Sequence, residues 1–259
     1  MSAFPGDDPE YVSRRAAAFG AEAAAYADQR PGYPQEAVTW ALAEAPGRRV
    51  LDLGAGTGKL TGLLPGEVVA VEPDPGMLAE LRRLLPGARA LAGSAEAIPL
   101  PGGSVDAIVA GQAMHWFDQD ASLPELARVL VPGGTLAGLW NLDDDRVDWL
   151  RELKEMTGNT ASYLNDRPVP MLTDGRYFTQ PVRAEFANPQ PRTIDSMLAT
   201  IQTHSQILVL PEDERSELMT KARAFLESTP ETRNGAFLRP MITVGLRVTR
   251  LPDGEAPRP

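Results

Sequence analysis

The sequence predicts an α/β fold in which a mainly parallel sheet is covered by helices on both faces. Strand-like and helical segments alternate between residues 49 and 140, which is the pattern of repeated βαβ units. The first and fourth predicted strands are mostly apolar and show no regular alternation, as is typical of strands covered on both faces. A glycine-rich turn at residues 54–58 follows the first strand, where such folds bind a nucleotide-like ligand at the carboxyl edge of the sheet.

Strands and helices can be assigned in order along the chain. We predict strands at residues 49–53, 67–71, 88–92, 105–110, 134–140, 182–187 and 241–248. We predict helices at about residues 57–64, 75–85, 122–130, 146–157, 193–203 and 211–226. The regular alternation stops after residue 141, so the helical stretch at about 193–230 is interpreted as an insertion beside the sheet.

A loop broken by prolines interrupts the alanine-rich amino-terminal region. Residues 30–34 read Arg-Pro-Gly-Tyr-Pro, and Pro31 and Pro34 prevent a continuous helix there. The loop would carry Arg30 and Tyr33 between two helical stretches. We expect the region 10–45 to form a helical lid.

Composition and charge exclude several classes of site. The 259 residues carry 25 Lys and Arg against 35 Asp and Glu, a net charge of −10, which opposes generic binding to nucleic acid or to anionic membranes. The chain has no cysteine and only two histidines, which excludes disulfides and thiol nucleophiles and argues against a histidine-rich metal site. Neither a secretory signal nor a long apolar stretch is visible, so a cytoplasmic protein is the expectation.

The glycine turn differs from a dinucleotide-binding turn. That motif has the spacing G-x-G-x-x-G, and its third glycine packs the helix that holds the pyrophosphate. Here Gly58 comes one residue early, so we expect its packing role to be lost. Glu72 follows Gly54 by 18 residues, where a carboxylate can accept both hydroxyls of a ribose. An NAD-dependent oxidoreductase remains an alternative interpretation of the turn.

Four segments together resemble the class I S-adenosylmethionine-dependent methyltransferases. They are the turn with its preceding Asp52, the loop at 30–34, residues 111–118 (Gly-Gln-Ala-Met-His-Trp-Phe-Asp) and residues 126–134 (Leu-Ala-Arg-Val-Leu-Val-Pro-Gly-Gly). Their form is similar to the small-molecule branch grouped as type 11 or trans-aconitate methyltransferase-like. The stretch from Gly58 to Glu72 is shorter than is usual in the family, so the first crossover helix must be clipped.

The resemblance implies a three-layer Rossmann-like fold. Its sheet would have seven strands, mostly parallel, with an antiparallel last strand. A single domain at 1–259 would comprise the lid at 10–45, a cofactor-binding core at 46–142 and substrate-side helices with the last two strands at 143–259.

The cofactor implied by the resemblance is S-adenosylmethionine, with S-adenosylhomocysteine as the product. Arg30 would pair with the methionine carboxylate, Glu72 would bind the ribose, and Ser94 would accept a hydrogen bond from the adenine where most members carry Asp. The residues expected to bind the cofactor are Tyr26, Arg30, Asp52, Gly54, Ala55, Gly56, Thr57, Gly58, Glu72, Pro73, Met77, Ser94, Ala95, Glu96 and Gln112.

The expected acceptor is a small molecule that contacts Tyr33, His115, Trp116 and Trp140. His115 is a candidate base or substrate orienter, because an imidazole titrates near pH 6.5, and the alternative is a hydrogen-bonding role in the pocket wall. Family analogy favours O-methylation of a carboxylate or hydroxyl, and C- or N-methylation or cofactor binding without turnover stay open.

Other partners and a metal are not expected. The Asn/Asp-Pro-Pro-Tyr/Phe tetrapeptide of enzymes that methylate nucleic-acid amino groups is absent, so the expected partners include neither nucleic acid nor membrane. The run Asp143-Asp144-Asp145 is interpreted as a solvated helix start and not as a magnesium site. The oligomeric state is expected to be a monomer or a homodimer.

Overall fold

The computed structural model describes residues 31–158, 172, 175–202, 207 and 210–252. The helical stretch predicted before residue 31, with Tyr26 and Arg30, lies outside these residues. The chain divides into two compact units, the first formed by Met1–Trp140, Arg167–Phe186 and Thr243–Pro259 and the second by Asn141–Asp166 and Ala187–Ile242. That residues 1–259 act as one domain remains a prediction.

Seven strands form one sheet in the order β3-β2-β1-β4-β5-β9-β6. Their bounds are β1 Arg49–Leu53, β2 Glu67–Glu72, β3 Arg89–Ala92, β4 Val105–Gly111, β5 Leu130–Asp143, β6 Val182–Ala187 and β9 Met241–Thr249. The pairs β1–β2, β1–β4, β2–β3 and β4–β5 are parallel. Reciprocal backbone bonds of Arg250 with Gly133 and Gly134 mark the antiparallel last strand. All seven predicted strands and the predicted mixed sheet are confirmed.

Two further strands were missed by the sequence patterns. Strands β7 (Gln190–Thr193) and β8 (Ala236–Arg239) pair in antiparallel fashion and form a separate two-stranded sheet in the second unit. Each has only four residues, and β7 contains a proline and no large apolar side chain, so neither shows the alternation that predicts a strand.

Six α-helices lie in the described part of the chain. They are α1 Gln35–Leu42, α2 Pro75–Leu84, α3 Gln119–Val129, α4 Asp148–Met156, α5 Ile194–Gln202 and α6 Glu212–Ser228. The helix predicted at 57–64 is wrong, because the structure has only a 3-10 turn at Thr61–Leu63. Gly58 has a φ of +87°, outside the α-helical region, so a helix could begin only after it. Gly62 and Pro65 both disfavour a helix in the short stretch that follows.

Burial of the central strands confirms that both sheet faces are covered. All six residues from Val105 to Ala110 in β4 are buried, as are the last four of β1. Helix α1 packs on one face, where Val38 and Ala41 meet Val109. The carboxyl ends of β1 and β4 therefore lie side by side at one edge of a well-packed sheet.

The second unit has its own apolar core. Helices α4, α5 and α6 bury Leu150, Met197 and Leu226 against one another. This unit contains most of the predicted insertion.

The three consecutive aspartates precede helix α4 and do not form a cluster. Each pairs with a different cation: Asp143 with Arg239, Asp144 with Arg146 and Asp145 with Lys154. Among the described residues, no group of three or more His, Asp or Glu side chains could hold a metal ion. In the same part of the chain, every helix is too short or too polar to cross a membrane.

Candidate functional site

The glycine turn after β1 is tied to the end of β2. The N–H groups of Gly54 and Ala55 donate to the Val71 carbonyl at 2.9 and 3.1 Å. Gly54 and Gly56 have φ angles of +68° and +56°, which glycine adopts at little cost. A Cβ placed on Gly56 would have one described neighbour, Met77 Sδ at 3.6 Å, so ligand atoms can approach this backbone.

Gly58 packs against helix α2. A Cβ at Gly58 would lie 2.9 Å from Leu85 Cδ1 and 3.1 Å from Leu81 Cγ. The expectation that Gly58 loses its packing role is therefore wrong. The helix that Gly58 packs against is α2, which follows β2, and not a helix that directly follows the turn. A dinucleotide site needs an α-helix amino terminus for the pyrophosphate, and here only a 3-10 turn follows. This geometry disfavours the NAD interpretation.

The Glu72 carboxylate links the turn to the start of helix α2. Its Oε2 accepts the Gly56 N–H at 2.8 Å, and its Oε1 accepts the Asp74 N–H at 2.9 Å. Glu72 is buried, and burial raises its pKa while the two N–H groups oppose that rise. Each oxygen keeps one further lone pair for a ligand hydroxyl.

Asp52 lies below the turn on β1 and is completely buried. Its Oδ2 accepts the Thr61 hydroxyl at 2.6 Å, whereas its Oδ1 has no hydrogen-bond partner in the described part of the chain. Burial is the main cause that raises the pKa of Asp52 to about 7, and the nearby Glu72 charge adds to it. A buried carboxylate oxygen without a donor is costly unless a ligand or water completes it.

The start of helix α2 places Met77 beside the turn. Asp74 caps the helix by accepting the Met77 N–H at 2.8 Å, and Pro75 occupies its first turn. Pro73 is exposed before the cap, and the Met77 side chain is buried facing Gly56. The sequence pair Asp74-Pro75 is a recognisable signal for this cap. The contact of Asp74 with Glu72 has no such signal in the sequence.

The loop after β3 carries the predicted adenine-side residues. Ser94 forms an isolated β-bridge with Ala97, and Ala95 is buried. The Glu96 Oε1 accepts the Asp118 N–H at 2.9 Å, which joins this loop to the amino end of helix α3. This connection between the loop and α3 had no signal in the sequence.

The segment after β4 packs directly on the turn. A Cβ at Gly54 would lie 2.6 Å from Ala113 Cβ and 3.7 Å from Phe117 Cε1. Gln112, which precedes this segment, has a φ of +55°, a left-handed conformation that costs a non-glycine residue on the order of 1 kcal/mol. Such backbone strain concentrates at functional sites.

His115 and Trp116 lie in a 3-10 turn, Met114–Trp116, within this segment. Their rings are 4.9 Å apart at 45°, and 39% of Trp116 is exposed. An exposed imidazole and indole thus stand in the chain segment that contacts the turn.

Two predicted substrate residues have different surroundings. A methyl group on Gly111, at the end of β4, would overlap the Tyr33 hydroxyl, so the tyrosine lies at the carboxyl edge of the sheet. Trp140 is only 2% exposed and lies over Gly138 beside Met114. Its contact with substrate remains a prediction.

Comparisons with known proteins match the region that contains the glycine turn and the segment after β4. A family model described as a methyltransferase domain matches residues 51–138. The uncharacterized methyltransferase Rv3342 of Mycobacterium tuberculosis is 42% identical over 238 residues, covering 89% of this chain and 95% of that protein. The chain belongs to the class I S-adenosylmethionine-dependent methyltransferases. The family stated from the sequence resemblance, the enzyme class and the cofactor are confirmed.

Structural similarity agrees with this family. A solved structure from Anaeromyxobacter dehalogenans, assigned as a type II methyltransferase, is similar with a TM-score of 0.63 and 26% identity. The match covers 86% of this methyltransferase and 99% of that chain.

The trans-aconitate-like branch is a more distant match. Trans-aconitate 2-methyltransferase of Methylobacterium nodulans is 38% identical over 121 residues, covering 43% of this chain and 45% of that protein. Malonyl-[acyl-carrier protein] O-methyltransferase of Methylococcus capsulatus is 45% identical over 101 residues, 36% of this chain and 37% of that protein.

The residues of the methyltransferase turn suit a cationic cofactor. The unpartnered Asp52 Oδ1 is an acceptor next to a backbone that is open at Gly56. Ala55 and Thr57 are buried, so they would meet a ligand mainly through their backbone. Thr61, the partner of Asp52, was missed, because nothing in its spacing from β1 distinguishes it from a helical residue.

Proposed function

We propose that this methyltransferase transfers a methyl group to an oxygen of a small-molecule acceptor, a carboxylate or a hydroxyl. The observation that carries the proposal is the packing of Ala113 and Phe117 against Gly54, which holds His115 and Trp116 next to the cofactor turn. An acceptor bound against this segment would lie close to the bound cofactor.

A small acceptor is supported by what replaces the nucleic-acid motif. The end of β4 reads Gly111-Gln112-Ala113-Met114, without the two consecutive prolines of enzymes that methylate nucleic-acid amino groups. The net charge of −10 also opposes a phosphate backbone. Both features favour a small molecule over a polynucleotide.

Oxygen as the acceptor atom is supported by proton chemistry and by one relative. A carboxylate is already ionised at neutral pH and needs no base, whereas a carbon acid or a protonated amine does. The described segment beside the turn offers one exposed imidazole, His115, for that task. The relative named malonyl-[acyl-carrier protein] O-methyltransferase shares 45% identity over 101 residues. Methylation at carbon or nitrogen is the second candidate.

The cofactor supplies a methyl group on a positively charged sulfur, which is already activated for displacement. The protein then has to align the acceptor with that methyl group and exclude water. Glu72 is proposed to bind the ribose through the lone pairs left by its two N–H partners. Ser94 would contact the adenine, and Gln112 would contact the methionine part.

His115 is proposed to orient the acceptor or to take a proton from it. For a carboxylate acceptor only the orienting role is needed. For a hydroxyl acceptor the imidazole would remove the proton, which typically contributes 10²–10⁴-fold to the rate. Tyr33 and Trp116 would complete the wall of the acceptor site.

The acceptor atom is tested by the stability of the product. The protein is incubated with methyl-labelled S-adenosylmethionine and a panel of small carboxylic acids, alcohols and amines. Label in a methyl ester is released as methanol by mild base, and we expect this volatile label from one or more acids. Label that resists base would assign an ether, nitrogen or carbon product and contradict a carboxylate acceptor.

The ribose contact is tested by two glutamates of the same strand. We expect Glu72→Ala to weaken S-adenosylhomocysteine binding about tenfold or more, because it removes charge-assisted hydrogen bonds of about 1.5–3 kcal/mol. Glu67→Ala changes the exposed residue at the start of β2 and should leave the affinity unchanged. Equal affinities of the two variants, measured by calorimetry, would show that Glu72 does not bind the ribose.

A further inference from the structure

Asp52 has a property that methyl transfer itself does not require. Its carboxyl group is completely buried, and one of its two oxygens, Oδ1, accepts no hydrogen bond from any residue that the structure describes. The other oxygen, Oδ2, accepts the Thr61 hydroxyl at 2.6 Å. The group lies on β1, two residues before the turn that we propose binds the cofactor.

Among the described residues, those in register with Asp52 on the neighbouring strands carry no positive charge. In register with it lie Ala70 of β2 and Val109 of β4, both apolar. Among the described groups, the charge that acts on Asp52 is the carboxylate of Glu72, which is of the same sign. The Thr61 hydroxyl is a neutral donor.

This environment favours the neutral acid. Removal from water and a nearby like charge both disfavour an ionised carboxylate, and together they raise the pKa of Asp52 to about 7. A ligand that brings a positive charge to the turn reverses the balance, because it stabilises the ionised form.

We propose that Asp52 is partly protonated in the cofactor-free protein at neutral pH and that binding of S-adenosylmethionine releases this proton to solvent. The O–H bond of the acid breaks, the proton goes to water, and the carboxylate keeps the electron pair and opposes the positive charge of the cofactor. The inference rests on the proposed placement of the cofactor at this turn. The negative charge of Asp52 thus forms in full when the cofactor binds.

The linkage has a defined sign. Because the bound state favours the ionised form, acidification through the pKa of Asp52 weakens binding. The dissociation constant should be nearly constant above about pH 8 and should rise towards tenfold per pH unit below about pH 6. Half-ionisation near pH 7 corresponds to release of roughly half a proton per bound cofactor at that pH.

Proton release is measured by titration calorimetry. S-adenosylmethionine is titrated into the full-length protein at pH 7 in two buffers with different ionisation enthalpies, and the difference in binding enthalpy gives the protons released. We expect roughly half a proton for the unaltered protein and close to none from this site for Asp52→Asn. An unaltered protein without buffer dependence, or an Asp52→Asn variant that releases as much, would overturn the proposal.

Two controls keep the result interpretable. The cofactor's own amino group is common to both proteins, so only the difference between them is used. 5′-Methylthioadenosine has the base and ribose but no charged methionine part, and it should bind without release. Release with this neutral ligand would assign the proton to another group, such as Glu72, and would contradict the proposal.

A second variant tests the same site should Asp52→Asn fail to bind. The Thr61 hydroxyl lowers the pKa of Asp52, so Thr61→Val should move the midpoint of the pH dependence to higher pH. An unchanged midpoint would overturn the role of Asp52. Failure of the unaltered protein to bind S-adenosylmethionine at any pH would instead contradict the proposed function.

Discussion

An aspartate lies at each of the two edges of the same sheet, and the surroundings shift the pKa values of these two residues in opposite directions. At the amino edge, Asp106 on β4 accepts three hydrogen bonds from Arg49, one from its backbone N–H and two from its guanidinium, at 2.6–3.0 Å. At the carboxyl edge, Asp52 on β1 accepts the Thr61 hydroxyl through Oδ2, and its Oδ1 has no partner among the described residues. Arg49 lowers the pKa of Asp106, and burial raises that of Asp52.

The difference separates a structural carboxylate from one prepared for a ligand. Asp106 has its partner within the fold, and its charge is stabilising whenever it is ionised. Asp52 is held where its ionised form is unfavourable, so its charge needs a partner from outside the fold. In an α/β sheet the carboxyl edge is where ligands bind, and Asp52 lies at that edge.

The largest expected effect concerns the stability of the cofactor-free protein. The folded-state pKa of Asp52 is above its ordinary value of 3.8, so its contribution to stability is present below about pH 4 and is lost as the pH rises through about 7. Asp52→Asn removes that loss and should raise the free energy of unfolding at pH 8 by about 1–3 kcal/mol, the gain being reduced by a newly buried amide. Urea unfolding between pH 4 and pH 8 measures it.

The matched variant at the other edge should have the opposite sign. The pKa of Asp106 is depressed, so its contribution is present above its unfolded value and is lost on acidification. Asp106→Asn should therefore destabilise the protein at pH 8. Two variants with the same sign at this pH would break the comparison.

Two glycines, one at each edge, test the packing of the turn. Gly54 and Gly103 have φ angles of +68° and +60°, so alanine is strained at both. Only at Gly54 would the new Cβ meet another atom, Ala113 Cβ at 2.6 Å. Gly54→Ala should be less stable than Gly103→Ala by about 1–3 kcal/mol in urea unfolding, because overpacking adds to the strain. Equal losses would indicate that Ala113 moves away without cost.

The smallest effect concerns an aspartate that is used as a hydrogen-bond acceptor. Asp74 caps helix α2 through the Met77 N–H, and asparagine caps as well as aspartate does. Asp74→Asn should therefore change stability little, whereas Asp74→Ala should cost about 1 kcal/mol. A large loss in Asp74→Asn would mean that the charge itself matters here, contrary to the assignment of Asp74 as a cap.

Long strands and helices could be predicted because their burial repeats along the chain. The run of buried residues in β4, apolar except for Asp106, and the Asp-Pro start of α2 are local signals. The turn could also be predicted from the sequence, because its glycines favour the left-handed φ angles that the structure shows there. The short pair β7–β8 could not be predicted, because its strands are stabilised by each other and not by their own pattern.

The sequence predicted which residues belong to the candidate site, but it did not predict the hydrogen bonds between them. Glu72 and Gly56 were both expected to bind the cofactor, yet their mutual hydrogen bond follows only from the parallel pairing of β1 with β2. The bond from Asp118 to Glu96 likewise joins segments 22 residues apart. No local pattern encodes such pairs.

The amino-acid sequence by itself determined the order of the strands along the chain, the glycine turn and the acidic residues beside it, because these depend on local periodicity and residue type. Only the tertiary structure decided what those acids do. Neighbouring strands remove Asp52 from water, and the Thr61 hydroxyl beside it is a neutral donor, whereas Arg49 reaches Asp106 at the opposite edge. The ionisation of a carboxyl group depends on what surrounds it, and those surroundings come from distant parts of the chain.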